Sequence, residues 1–308
     1  MTVLNNLACT DFGSLNVLNV CLNLLFVLLC DMTVDGVALA TIISQYVSAT
    51  LVIIIMMKQT GAAKFSFKRL ALDLPILKNI IKVGLPAGIQ SSLFALSNVV
   101  VTRAFNTFST STIHARTVVQ SVDGIVSTLI TSYVRSNLAL TAQNFGARDL
   151  SRVKKVFWYS IIQVTVISIV VAQIMLLFCV PIASLFIGDN NENIEEILTI
   201  AKGFFNILLN TYFLCGIMDV LSSSLRGIKY SVTTMLISLF CAIPLRIIWV
   251  FFVFPYEPFN TPNWLMANFP ISWVIAAIAF AIMLPIAWHR LDKEFNLKEE
   301  TIKEAENV

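Results

Sequence analysis

The chain is poor in charge. Only 13% of its 308 residues are Asp, Glu, Lys or Arg, while 57% are hydrophobic; a water-soluble domain carries roughly 25% charged residues. That deficit excludes a soluble globular protein. The apolar excess falls in runs long enough to cross a bilayer as helix, which takes about 20 residues. Histidine is almost missing: His114 and His289 are the only two, and neither stands at a metal-ligand spacing. The six cysteines are scattered with no CxxC pair, so neither a disulfide framework nor a thiolate metal site is indicated. They read as small buried hydrophobes. No GxSxG elbow and no P-loop occurs, which removes the usual parts of nucleophilic and ATP hydrolysis. Nothing has the makeup of a nucleic-acid surface. The chain is read as a non-enzyme with no cofactor and no metal. Its first stretch, "MTVLNNLACTDFGS", has no Lys or Arg and so makes a poor signal peptide. It also lacks the positive flank expected of a complete membrane protein starting in the cytoplasm.

What is present is an all-α pattern of eight predicted membrane spans, over 15–30, 36–57, 84–107, 113–143, 156–186, 204–225, 231–254 and 265–289. The connections alternate in charge. One group carries Lys58, Lys64, Lys68, Arg69, Lys78 and Lys82; then Arg148, Arg152, Lys154 and Lys155; then Arg226 and Lys229; then Arg290, Lys293, Lys298 and Lys303. The intervening loops, "DMTVDG", "FSTS", "IGDNNENIEE" and "PYEPFNTPN", contain no Lys or Arg. The positive-inside rule places the basic group in the cytoplasm, with both termini on that side of the plasma membrane.

Four segments follow: two spans over 1–57, a linker over 58–83, a six-span unit over 84–290 and a charged tail over 291–308. Within the linker, "FSFKRLALDLPILKNIIKVG" is amphipathic and basic, and is expected to lie along the inner membrane surface before the third span. Pro86 is expected near the N-terminus of that span, where its missing donor would go unpaired anyway.

The spans carry polar residues that lipid would not tolerate. The fourth, "TVVQSVDGIVSTLITSYVRSNLALTAQ", holds Asp123 and Arg135; the third holds Gln90, Asn98 and Arg103; the sixth holds Asp219; the seventh holds Pro244 and Arg246. At about 1.5 Å per residue, Asp219 lies about 10 Å above the cytoplasmic edge and Arg135 about 13 Å. Arg246 comes at about 23 Å, Arg103 at about 28 Å and Asp123 at about 31 Å. Depth therefore matches Asp219 with Arg135, and Asp123 with Arg103 and loosely with Arg246. Direct pairing of Asp219 with Arg246 is not expected. Two readings of the acids stand: buried ion pairs that hold the bundle, or carboxylates in a wet cavity that bind a proton or cation. Gly216, Ser222, Ser223 and Ser224 surround Asp219 with small residues, which leave room for water or for close helix approach.

Several stretches resemble the MATE (multidrug and toxic compound extrusion) transporters: "DGVALATIISQYVS", "VGLPAGIQSSLFALSN", "TAQNFGARDLSRVKK", "SLRGIKYSVTTMLISLF", "LRIIWVFFVFP" and "FPISWVIAAI". The resemblance runs from about Ser14 to the C-terminus in family order. It implies two six-helix lobes around a central cavity, with the eight spans corresponding to helices five to twelve. One complete lobe and the last two helices of the other would then be present, as in a chain truncated at its N-terminus. It further implies export of cationic, amphipathic xenobiotics in exchange for Na⁺ or H⁺, the coupling ion being the only cofactor-like species. Asp219 occupies about the place of an acid that some members carry on the tenth helix, shortly before "LRG". Asp123 matches a position on the eighth helix where relatives often carry an acid. The seventh helix has no acid in "SSLFALS", which departs from members with a two-acid site. Gln90, Asn98, Arg103, Arg135 and Arg246 are cavity-polar or charge-pairing candidates. Partners implied are the bilayer, the exported small molecules and a chain supplying the missing helices. Two alternatives remain beside the antiporter: a non-transporting fragment whose charges serve packing, and a flippase for lipid-linked sugars, which the intramembrane arginines favour.

Overall fold

A computed structural model describes residues 17–58, 65–66, 73–187 and 193–306. Every regular element among them is helical. The chain divides into two compact units, Met1–Asp73 and Leu74–Val308.

The first unit holds α1 (Val17–Leu29) and α2 (Val34–Lys58). Asn19 donates from Nδ2 to Ser44 Oγ at 3.0 Å and ties the two helices together. Gly36 lets α2 start close to α1, since a Cβ there would lie 3.1 Å from that of Phe26.

The second unit runs through α3 (Leu74–Phe105), α4 (Thr110–Gly146), α5 (Leu150–Leu177), α6 (Cys179–Phe186), α7 (Ile194–Asn210) and α8 (Tyr212–Gly227). It ends with α9 (Ser231–Val253) and α10 (Pro262–Glu306). Caps explain the breaks around α4 and α5. Ser109 accepts from the Thr112 N–H at the start of α4, and Asp149 accepts from the Arg152 N–H at the start of α5. Helices α7 and α8 form one path bent by 41°. At the bend the Thr211 hydroxyl donates to the Ile207 carbonyl at 2.6 Å, a back-bond of the kind that bends helices. Two π turns, Ser238–Ala242 and Trp249–Val253, interrupt α9 on either side of Arg246. The core is mainly aliphatic, with aromatic pairs set into it: Phe105 meets Phe204 edge-on at 5.8 Å, and Phe157 meets Trp288 at 5.3 Å.

Five helices are long and apolar enough to cross a membrane: α2, α3, α5, α9 and the Pro262–Phe295 part of α10. The bent α7–α8 pair makes a sixth when taken as one span. Helix α4 has ample length at 37 residues, yet its polar content keeps it out of that set. Helix α3 starts at Leu74, so Pro86 lies inside it and not at its N-terminus. From Leu74 onward the amphipathic stretch is continuous with the span, so α3 runs through the proline; membrane helices tolerate such breaks in the backbone ladder. Lys64, Lys68 and Arg69 lie outside the described residues.

Candidate functional site

Helices α4 and α8 run parallel in a constant register. Asn137 faces Ser223, 86 positions on, and the same spacing sets Ile130 beside Gly216 and Thr141 beside Gly227. The approach is close. A Cβ on Gly227 would come within 2.6 Å of Thr141 Cγ2, and one on Gly216 would strike Val164 and lie 3.1 Å from Ser168 Oγ. Asn137 Nδ2 donates to Ser223 Oγ at 2.7 Å and Ser224 Oγ at 2.9 Å, all three residues being buried. The small residues of "SSSLRG" thus serve helix packing.

Beside this packed zone a cavity of about 290 Å³ opens within the second unit. Its acids are Asp123 on α4 and Asp219 on α8; its cations are Arg116 on α4 and Arg246 on α9. Asn98, Gln120 and Tyr212 add neutral polar groups, while Phe94, Phe269, Trp273 and two methionines supply apolar wall. That mixture suits an amphipathic ligand: an apolar body, with a few polar groups to fix its orientation.

Both acids are half-buried. The Tyr212 hydroxyl and the Arg116 guanidinium both act on the Asp123 carboxyl electrostatically. Asp219 lies two helical turns beyond Tyr212, and Arg226 two turns further acts on it. The arginines are held by neutral partners. Arg116 donates from Nη2 to Thr102 Oγ1 at 3.1 Å and stacks 4.1 Å from the Phe105 ring centroid. Arg246 donates from Nε to Ser272 Oγ at 2.9 Å and from Nη1 to Asn98 Oδ1 at 3.0 Å. Among the described residues no group of three His, Cys, Asp or Glu is placed to hold a metal ion.

Of the residues singled out in the sequence, the cavity gathers Asp123, Asp219, Arg246 and Asn98. Gln90 is elsewhere, buried and donating to Ser238 Oγ at 2.7 Å, which pins α3 to α9. Arg103 is exposed beside a separate groove with Phe251 and Phe254. Arg135 is exposed and lines no part of the cavity. Depth alone set these two opposite the acids, but depth ignores azimuth. Arg135 is two residues before Asn137, about 200° around the helix, so when Asn137 faces α8 Arg135 turns away. Sequence reading passed over Arg116, Gln120 and Tyr212. A signal existed for two of them: Arg116, Asp123, Ile130 and Asn137 recur every seven residues, as do Tyr212, Asp219 and Arg226. Residues seven apart drift only about 20° around a helix.

A family model described as MatE matches residues 86–252, more than half of the chain. The probable multidrug resistance protein YoeA of Bacillus subtilis (strain 168) is 27% identical over 195 residues, covering 62% of this chain and 41% of that protein. A crystal structure of a MATE in complex with MaL6 superposes with a TM-score of 0.83 at 18% identity, over 94% of this chain and 64% of that one. A MOP superfamily transporter from Pyrococcus furiosus gives a TM-score of 0.81 at 18% identity, over 93% and 63%. The binding pocket of that transporter is described as having reverse polarity, which suggests a different function for it. These superpositions show a shared fold. The chain spans about two fifths of the length of the curated relative and under two thirds of the solved ones.

Proposed function

The chain belongs to the MATE family, and from that premise we propose that it works in secondary active efflux, exporting cationic, amphipathic compounds in exchange for Na⁺ or H⁺. The observation that carries this reading is the pair of carboxylates, Asp123 and Asp219, on the wall of one cavity that also offers aromatic and methionine surface. An ionisable group inside a membrane bundle is expensive and marks ion pathways. A cation or proton bound at these acids biases the protein toward inward- or outward-open states only through its different affinity for the two. Exchange then follows from rocking of one lobe against another around the site.

In this reading the eight spans are α1, α2, α3, α4, α5 with α6, α7 with α8, α9 and α10. The last six form one complete lobe, and both termini lie on the cytoplasmic side of the plasma membrane. A partner chain supplies whatever cavity wall the lobe opposite does not provide. The test is ethidium efflux from cells producing the protein. Asp219→Asn and Asp123→Asn are each expected to lower efflux to the level of cells without it, at equal amounts of protein in the membrane. Efflux unchanged by both substitutions would overturn the coupling role.

A further inference from the structure

Two buried cations share the cavity, and the bonds they make do not neutralise them. Arg116 and Arg246 are each only 4% exposed. The groups they bond are a threonine hydroxyl, a serine hydroxyl and an asparagine oxygen, all uncharged. Neither guanidinium has a carboxylate within ion-pair distance among the described residues. Removing a charge from water without a contacting counter-charge is costly, so such groups are normally paired. Their donors are also in surplus, since a guanidinium has five N–H groups. Arg116 Nε is buried with no hydrogen-bond partner. Arg246 uses Nε and Nη1, and its Nη2 carries no bond to a described residue.

Both cations border the same aromatic ring. The Arg116 guanidinium lies 6.0 Å and that of Arg246 4.9 Å from the Phe269 centroid, and Arg246 also lies 5.5 Å from that of Phe94. Stacking fixes the planes of the two groups and leaves their edges to donate. Asp123 sits two turns along α4 from Arg116, about 10 Å along the axis. It adjusts the local field without occupying the arginines' donors.

We propose that this end of the cavity is a carboxylate-binding subsite, in which the anionic group of an amphipathic ligand sits beside Phe269 against Arg116 and Arg246. The proposal rests on the reading of this cavity as a transport site and adds a ligand class to it, the organic carboxylate. A planar carboxylate matches the fork of a guanidinium, and such charge-assisted bonds are the strong ones. The apolar body of the ligand then lies along Phe94, Trp273 and Met266, which line the same cavity.

The experiment titrates 6-phenylhexanoate and its uncharged amide calorimetrically into the purified full chain in detergent. The acid is expected to bind at least about tenfold more tightly than the amide, the effect of one charge-assisted hydrogen bond. Arg116→Gln and Arg246→Gln are each expected to remove that preference while the amide binds as before, which also reports an intact cavity. Arg116→Lys, which keeps the charge and loses the fork, is expected to retain part of it. Equal binding of acid and amide to the unaltered protein overturns the proposal, whatever the variants do. So does a preference untouched in both glutamine variants. Acetate, which lacks the apolar body, is expected to compete weakly; if it competes as well as phenylhexanoate, the site takes a free small anion and the amphipathic ligand is overturned. The two readings fail separately. Absent preference with ethidium efflux still dependent on Asp219 removes the subsite alone. Preserved preference with efflux independent of Asp219 removes the coupling role and leaves the subsite standing.

Discussion

Asn137 shows how a single polar side chain sets the contact between two helices in an apolar setting. Its amide donates to Ser223 and Ser224, and at 3.3 Å toward the Val220 carbonyl, while Thr141 donates to its oxygen at 3.4 Å. Every polar atom of the side chain is therefore engaged within α4 and α8. Ser223 also donates to the Val220 carbonyl at 3.0 Å, so removing the asparagine does not orphan its hydroxyl hydrogen. Thr141 and Ser224, both buried, have no such second bond among the described residues and lose the asparagine's oxygen and amide, so Asn137→Ala should cost about 1–3 kcal/mol, the figure for buried polar groups left without a partner. The check is the midpoint of thermal unfolding in detergent, expected a few degrees lower. A collapse of folded yield would mean that the bond holds more of the bundle than its geometry indicates. The same azimuth that turns Asn137 inward brings Asp123 and Arg116 to the cavity and leaves Arg135 outside.

At the scale of elements, α8 is fixed by the two glycines that admit its neighbours. Gly216 faces Val164 and Ser168 of α5, and Gly227 faces Thr141 of α4. Valine is branched at Cβ and stiff, so it cannot swing aside for a methyl group. Gly216→Ala is expected to destabilise by about 1–3 kcal/mol through overpacking. Gly124→Ala, where an added Cβ meets nothing within 4 Å, should be neutral or stabilising by up to about 1 kcal/mol from helix propensity. Thermal midpoints of the two variants, measured side by side, check the sign of each. The all-helical character was legible because apolar runs of span length leave few alternatives, whereas the start of α5 at Leu150 fell in the basic stretch read as a connection before residue 156. The start of α3 was not legible: "LPILKNIIKVG" has helical periodicity and basic residues, and these signals do not distinguish a surface helix from the first turns of a span. The bend at Thr211 depends on a rotamer that a sequence does not display. Asp219 was legible as a lone acid in an apolar run, and Asp123 as a charge in a span too polar to face lipid. Arg116 was not, because it stands near a span end, where an arginine is ordinary until its seven-residue relation to Asp123 is noticed.

For the whole molecule, the open physical question is which end of each helix meets which side of the membrane. Helix α4 decides it most directly. Its 37 residues span about 55 Å, well beyond a hydrocarbon core of about 30 Å, so as a spanning helix it puts Ser109 and Ala147, at its two ends, in water on opposite sides. The turn after α4 carries Arg148, with Arg152, Lys154 and Lys155 following on α5, whereas the turn before it, "FSTS", has no basic residue. Cytoplasmic retention of Lys and Arg therefore predicts Ala147 inside and Ser109 outside. Both positions are exposed in the structure. In a background with the native cysteines replaced, Ser109→Cys should react with a membrane-impermeant maleimide on intact cells, and Ala147→Cys only after the membrane is opened. The reverse pattern would invert the topology, and with it the direction in which the cavity would have to work. Labelling of both on intact cells would mean that α4 does not span at all, and then Asp123 and Arg116 would sit on a surface and not inside a bundle.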